Sequence, residues 1–414
     1  MSHELRVGVI GFGWMGQAHS RSYRALPSRF GDRDITPVLA AVCDPVEERR
    51  AEALANFGFA EAHADWRDLI ARDDLDIIDI TAPNGMHRDL AVAAAESGKH
   101  VFCEKPVGLT LADTAAIEAA ARQAGVVSGC GYNYRWTPLV QHLKTLIDEG
   151  RLGALTHYRG RFFSMYGRDR LGLLSWRFKQ DEAGYGSLLD LMCHAVDMAL
   201  HLAGPITRLT ATKETFVKQR PLPKPGEGTH YDRGAPGDPT GPVTNEDYVG
   251  ALVEFAGGAR GTLEVDRSIF GPQSAMAFEL NGERGAASWD HETLNQMDLY
   301  LPEESPADGY QRVLAGDWLP HHGNFVPGYG NSLGYEDLKG IEAAEFCTAV
   351  AEGRPFEPGF GAALRVARVL DAMIRSFDSG GWEDVDLSEP GQDSAGHDSA
   401  GHDGAGHDSD GGST

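Results

Sequence analysis

The sequence is poor in long apolar runs. None approaches the roughly 18–20 residues that a membrane-spanning helix needs. Residues 1–13 lack a basic stretch followed by an apolar one and enter a strand almost at once, so no secretory signal is expected. Positive charge is also scarce: 37 Lys and Arg stand against 61 Asp and Glu, a formal net charge of −24. That field repels phosphate, so neither nucleic acid nor an anionic membrane surface is an expected partner. The five cysteines, Cys43, Cys103, Cys130, Cys193 and Cys347, lie far apart with no C-x-x-C pair. This spacing speaks against a disulfide framework or a zinc site and suits a reducing cytoplasm.

What remains is the composition of a globular protein, with 414 residues, enough for two domains. Apolar runs at residues 5–10, 38–43, 77–81, 100–103 and 126–130 alternate with helical patterns at 15–26, 45–57, 87–97 and 111–124. Short buried strands alternating with helices predict an α/β domain over 1–135, a doubly wound parallel Rossmann sheet. Beyond it the texture changes. Alternating segments at 155–165, 206–216, 248–255, 260–267, 275–281 and 286–289 predict a large open, mostly antiparallel sheet. Helices are predicted at 138–149, 188–202, 340–352 and 361–376, within an α/β substrate-binding and oligomerisation domain over 136–388. Residues 221–243 read as a long loop. Residues 389–414 repeat Asp-Ser-Ala-Gly-His with nothing large to bury, so a disordered low-complexity tail is expected. Its histidines would have to be ordered before they chelated, and no metal site is assigned.

Gly11-Phe12-Gly13-Trp14-Met15-Gly16 follows the first strand and opens a helix. That context turns a weak glycine pattern into a dinucleotide fingerprint. Gly11 makes the tight turn, Gly13 lets the backbone approach a pyrophosphate, and Gly16 lets the helix pack closely. The helix N-terminus offers free N–H groups to the phosphates. Asp44 ends the second strand, where a carboxylate accepts ribose hydroxyls and repels a 2′-phosphate, favouring NAD over NADP. Arg49 and Arg50 read as decoration on the next helix, and residues 27–37 as a loop. Thr81, Pro83, Asn84 and His87 follow the 77–81 strand, where backbone and Asn84 would line the nicotinamide ribose.

Glu104-Lys105-Pro106 follows the next strand, and ligands of doubly wound sheets gather at strand carboxyl ends. Glu104 and Lys105 therefore belong to the cofactor cleft. In the second half, Asp190 and His194 stand at i and i+4 of the 188–202 helix and share a face. A histidine titrates near neutrality, as a base taking a hydroxyl proton must, and a lysine ammonium stabilises alkoxide character. From spacing alone, a helix-dipole Asp with a core His remains an equal reading.

The glycine fingerprint, Asp44, residues 81–87, Glu104-Lys105-Pro106 and the run from Gly184 to His194 together resemble the Gfo/Idh/MocA family of oxidoreductases. The likeness spans about residues 5–385, with Tyr185 replacing the middle glycine of a common triplet. By position it implies that His194 is the acid/base, that Asp190 holds the substrate, and that Lys105 contacts the same hydroxyl. Residues 133–138, 174–178 and 334–336 are similar to those of the family's sugar and inositol dehydrogenases. This implies a ring CH–OH of a sugar, anhydrosugar or cyclitol as substrate, with Asn133, Trp176, Arg177 and Tyr335 near cofactor or substrate. Trp176 and Arg177 equally suit a bracing role between domains. The family's open sheet implies a homodimer or homotetramer. Two other readings stay open: glycoside cleavage through transient oxidation with retained NAD, and a non-catalytic dinucleotide sensor.

Overall fold

The computed structural model describes residues 3–224, 232–304 and 307–388. The repeat-bearing tail and part of the 221–243 loop fall outside them. Six strands form one parallel sheet: β1 (His3–Ile10), β2 (Ile35–Cys43), β3 (Glu61–His63), β4 (Ile77–Ile80), β5 (His100–Cys103) and β6 (Ser128–Cys130). Their order is β3-β2-β1-β4-β5-β6, so the chain reverses its progress between β1 and β4. A crevice opens at such a switch point, at the carboxyl ends of the strands. The sequence explains the central strands. All four residues of β4, Ile-Ile-Asp-Ile, are buried, as are three of the four in β5. A strand covered on both faces needs that continuous run. Each fully buried Val, Ile or Leu contributes about 1.5–3 kcal/mol.

Two expectations need correction here. Residues 27–37 are not a loop. The first helix runs Trp14–Arg29 with Pro27 inside its last turn, a short turn follows at Gly31–Arg33, and β2 begins at Ile35. Pro37 fits in β2 because β3 pairs only with Ala41–Cys43, leaving that part of the strand with an open edge. The strand β3 was also unforeseen; its three residues, Glu-Ala-His, carry no apolar run.

The second sheet has nine strands. They are β7 (Leu155–Ser164), β8 (Ile206–Glu214), β11 (Tyr248–Phe255), β12 (Arg260–Asp266), β13 (Ser274–Gly282), β14 (Ala286–Asp290), β15 (Gln296–Tyr300), β16 (Gln311–Leu314) and β17 (Glu383–Asp384). A separate two-stranded ribbon pairs β9 (Gln219–Pro221) with β10 (Thr240–Pro242), so the segment expected as a loop over 221–243 is strand at both ends. The large sheet runs β16-β15-β14-β13-β7-β12-β11-β8-β17, and only β7 and β12 pair in parallel. Strand β11 alternates buried and more open positions, which marks a sheet with one covered face. The helices Cys193–Ala203 and Phe360–Ser379 cover that face. The helix Tyr335–Glu352 starts five residues before the predicted one, because Asp337 accepts the Gly334 N–H and caps it. It crosses back to pack on Trp14–Arg29, so the last third of the chain reaches the dinucleotide turn.

Candidate active site

The glycine turn is built for a close approach. Gly11 has φ +93°, and a Cβ there would lie 2.7 Å from the Thr81–Ala82 backbone. A Cβ on Gly16 would lie 2.1 Å from the Gly11 carbonyl oxygen, whereas one on Gly13 would meet nothing within 4 Å. The helix Trp14–Arg29 has neither a side-chain cap nor an acidic residue in its first turn. Its free N–H groups and positive dipole end therefore face open space at Gly13, which suits a pyrophosphate. Asp44 is buried and accepts the Phe12 N–H at 2.8 Å and the Val46 N–H at 2.9 Å. Arg49 and Arg50 do more than decorate their helix: Arg49 reaches the Asp44 carboxylate at 3.4 Å, and Arg50 donates to the Asp44 carbonyl at 2.7 Å. Phe12, expected at the cofactor, is instead fully buried: its ring packs against Phe57 and Phe59, and its N–H is held by Asp44. Thr81 donates to the Gly11 carbonyl at 2.6 Å, tying the end of β4 to the turn. Pro83 and Asn84 form the surface turn beyond it. His87 departs from expectation. It is fully buried, with its ring nitrogens 2.8 Å from the carbonyl oxygens of Ala82 and Pro106. It braces the Lys105 loop and turns no side-chain atom outward.

The carboxyl end of β5 meets the second half of the chain at Lys105. Its ammonium donates to the Asp190 carboxylate and to the Asp190 carbonyl, both at 2.8 Å. Tyr166 donates to the other carboxylate oxygen at 2.8 Å, and Arg177 lies 3.3 Å from the first. Burial opposes the charge on Asp190, but Lys105 and Arg177 outweigh it and hold the carboxyl far below its usual range. Burial likewise opposes the charge on Lys105, and Asp190 reverses that effect and raises its pKa. The pair keeps 17% and 19% side-chain exposure, so it borders a cleft.

Asp190 sits in a wide π turn, Leu188–Met192, that runs into the α-helix Cys193–Ala203. The uniform helix expected over 188–202 is thus opened at its first turn; π turns recur at functional sites. One turn on, His194 packs against Tyr134, Phe162 and Tyr132, with ring centroids at 4.9, 5.8 and 5.9 Å. Burial, aided by the charge of Lys105, drives its pKa well below 6.5. The imidazole is neutral at neutral pH and able to take a proton.

Directly behind Lys105 lies a sealed ionic network that sequence reading missed. Glu104, expected at the cofactor, turns inward instead: its carboxylate accepts Lys339 at 2.5 Å, His19 at 3.1 Å and the Lys105 N–H at 3.1 Å. Lys339 also holds Glu342 at 2.9 Å, and the other nitrogen of His19 holds Asp79 at 2.9 Å. All five side chains are buried. Burial works against the charge on His19, yet Asp79 and Glu104 raise its pKa to about 9. Burial pushes Glu342 up to about 7, against the pull of Lys339.

The remaining expected residues fall around this core. Arg177 stacks on Trp176 at 4.6 Å while its carbonyl accepts from Asn245 and Arg267, both at 3.1 Å, so it braces and reaches Asp190 at once. Asn133 is buried, its amide nitrogen without a hydrogen-bond partner among the described residues, on a turn fixed by the bidentate Arg135–Asp197 pair at 2.8 and 2.6 Å. Tyr335 stacks on the exposed Trp14 ring at 5.6 Å and meets Tyr134 edge-on at 6.4 Å. An aromatic wall therefore links the glycine turn to His194. Met15 lies half-buried behind Trp14 in the same turn. Tyr166 and His291 were not anticipated; nothing local in sequence marks them.

Residues 5–132 match the oxidoreductase family's NAD-binding Rossmann fold, and residues 140–288 the Gfo/Idh/MocA C-terminal domain. Levoglucosan dehydrogenase of Pseudarthrobacter phenanthrenivorans is 35% identical over 383 residues, which are 92% of this chain and 98% of that one. The chain belongs to the Gfo/Idh/MocA family. Within it, inositol 2-dehydrogenase of Salmonella typhimurium is 34% identical over 39% of this chain and 46% of its own. A solved structure of levoglucosan dehydrogenase with NADH and levoglucosan superposes with a TM-score of 0.86 at 34% identity, over 92% of this chain and 100% of that one. As a Gfo/Idh/MocA protein with an NAD-binding Rossmann fold, the chain is an oxidoreductase. Among its described residues no helix is long and apolar enough to cross a membrane, and no cluster of His, Cys, Asp and Glu is placed to hold a metal. All five cysteines are buried free thiols.

Proposed function

We propose that this protein oxidises a ring CH–OH of a sugar, anhydrosugar or cyclitol, with NAD as the hydride acceptor. The observation that carries the reading is the Lys105–Asp190 pair at 2.8 Å, with a neutral His194 one turn further along the same segment. The open cradle at Gly13 and the uncapped helix behind it fit the pyrophosphate, and Asp44 fits the adenosine ribose. The nicotinamide, when bound, supplies the site that receives the hydride. His194 takes the hydroxyl proton on a ring nitrogen, since burial keeps that nitrogen free of a proton. Lys105 holds its ammonium against the same oxygen, where charge develops as the proton leaves. Asp190 fixes the ammonium from behind, and Tyr166 and Arg177 fix Asp190. Trp14 and Tyr335 offer flat apolar faces to the C–H side of a ring. A buried Asp44 carboxylate favours NAD over NADP, although Arg49 beside it softens that preference.

The test is reduced-nicotinamide formation with purified protein, NAD or NADP, and a panel of levoglucosan, aldohexoses, glycosides and inositols. At least one ring substrate should be oxidised, faster with NAD. The acid limb of kcat/KM should fall below pH 6.5, because His194 must lose its proton to act. No turnover with any panel member would overturn the reading. Aglycone release without net NADH would favour glycoside cleavage through transient oxidation.

A further inference from the structure

His291 stands on the turn His291–Thr293 after β14, facing the wall that also bounds His194. The Tyr134 ring meets both imidazoles edge-on, 4.9 Å from His194 and 5.1 Å from His291. The two imidazoles are therefore no more than about 10 Å apart along one aromatic wall, a reach that a hydroxylated six-membered ring lying against that wall can cover. Tyr335 meets His291 edge-on at 6.3 Å and closes the wall toward Trp14.

The tautomer of His291 follows from its partner. Nδ1 lies 3.1 Å from the Ser274 carbonyl oxygen, which only accepts, so Nδ1 carries the proton. Burial lowers the pKa of the ring, so at neutral pH the other nitrogen, Nε2, holds a lone pair. Among the described residues no protein donor reaches Nε2, and the atom is not sealed from solvent. A half-buried acceptor that no donor among the described residues reaches, on the same aromatic wall as the acid/base group, is set to receive a hydrogen bond.

We propose that His291 is a specificity-determining residue whose Nε2 accepts a hydrogen bond from a second, non-reacting hydroxyl of the substrate ring. The inference rests on the function proposed above and narrows it to polyols that present a hydroxyl donor roughly one ring-width from the carbon oxidised. Simple secondary alcohols and singly hydroxylated rings lack that donor and are turned over poorly.

The experiment compares wild type with His291→Leu and His291→Gln on the best panel substrate and on its monodeoxy analogues, each lacking one non-reacting hydroxyl. NADH binding by fluorescence confirms that each variant is folded and loaded. In wild type one analogue should lose on the order of tenfold in kcat/KM, mainly through KM, the scale of one lost hydrogen bond. His291→Leu should impose the same loss on the parent substrate and no further loss on that analogue. His291→Gln, which retains an acceptor oxygen, should recover most of the parent activity. Equal KM values for wild type and His291→Leu, or losses that simply add for every analogue, would overturn the assignment. If wild type oxidises no panel member, the parent reading has failed, and that is visible before any variant is made.

Discussion

Glu104 and Lys105 are neighbours in the chain but belong to two charged clusters of opposite design. The cluster behind Glu104 joins His19, Asp79, Lys339 and Glu342, all buried and bonded almost entirely to one another. The cluster before Lys105 joins Asp190, Arg177 and Tyr166 and keeps about a fifth of the Lys105–Asp190 pair exposed. Each crosses between the two sheets' halves of the fold. The sealed one ties the helix Tyr335–Glu352 to β4, β5 and the helix Trp14–Arg29, whereas the open one has charge left to offer a ligand. A buried ion pair is weak evidence for net stability but is damaging to break, and a half-open one is available for chemistry.

That contrast is broken most severely at the open cluster. His194→Ala and Lys105→Met should each lower kcat by roughly a hundredfold to ten-thousandfold, the range of one acid–base or electrostatic group. Their unfolding midpoints should fall less than that of a variant that breaks the sealed cluster; a large stability loss with intact kcat would merge the two clusters into one structural device. The sealed cluster should respond the other way. Lys339→Met leaves Glu104 and Glu342 buried without their cation, and urea denaturation should report a loss of about 3–5 kcal/mol. The smallest effect is on pH. The His19 pKa is raised to about 9 in the fold, so its contribution to stability is complete below pH 6.5 and is lost as pH rises through about 9. The difference in stability between wild type and His19→Gln should therefore shrink over that window. A constant difference would mean that His19 is not held protonated.

The parts legible in sequence were those written locally. The glycine turn, Asp44 and Glu104-Lys105-Pro106 each follow a strand within a few residues, and the Asp190–His194 spacing lies within one helical segment. The open mixed sheet was legible from alternation in β7, β11 and β13, while β15, β16 and β17 were not, being short and polar. Tyr166, His291 and Lys339 were invisible for another reason. Sheet pairing and a returning helix bring them to the site from 24 to 235 residues away in the chain. Even the dinucleotide half held surprises of this kind. His87 reads as a cofactor contact by its place after a strand, but the cis Lys105–Pro106 loop packs over it and buries it.

The arrangement of Lys105, Asp190 and His194 around one hydroxyl is tested most directly by a crystal structure with NADH and a ring substrate found in the panel. One substrate hydroxyl should lie within hydrogen-bond distance of both the His194 ring and the Lys105 ammonium, with its carbon facing the nicotinamide. A substrate seated elsewhere, or a nicotinamide ring turned away from Lys105, would contradict it.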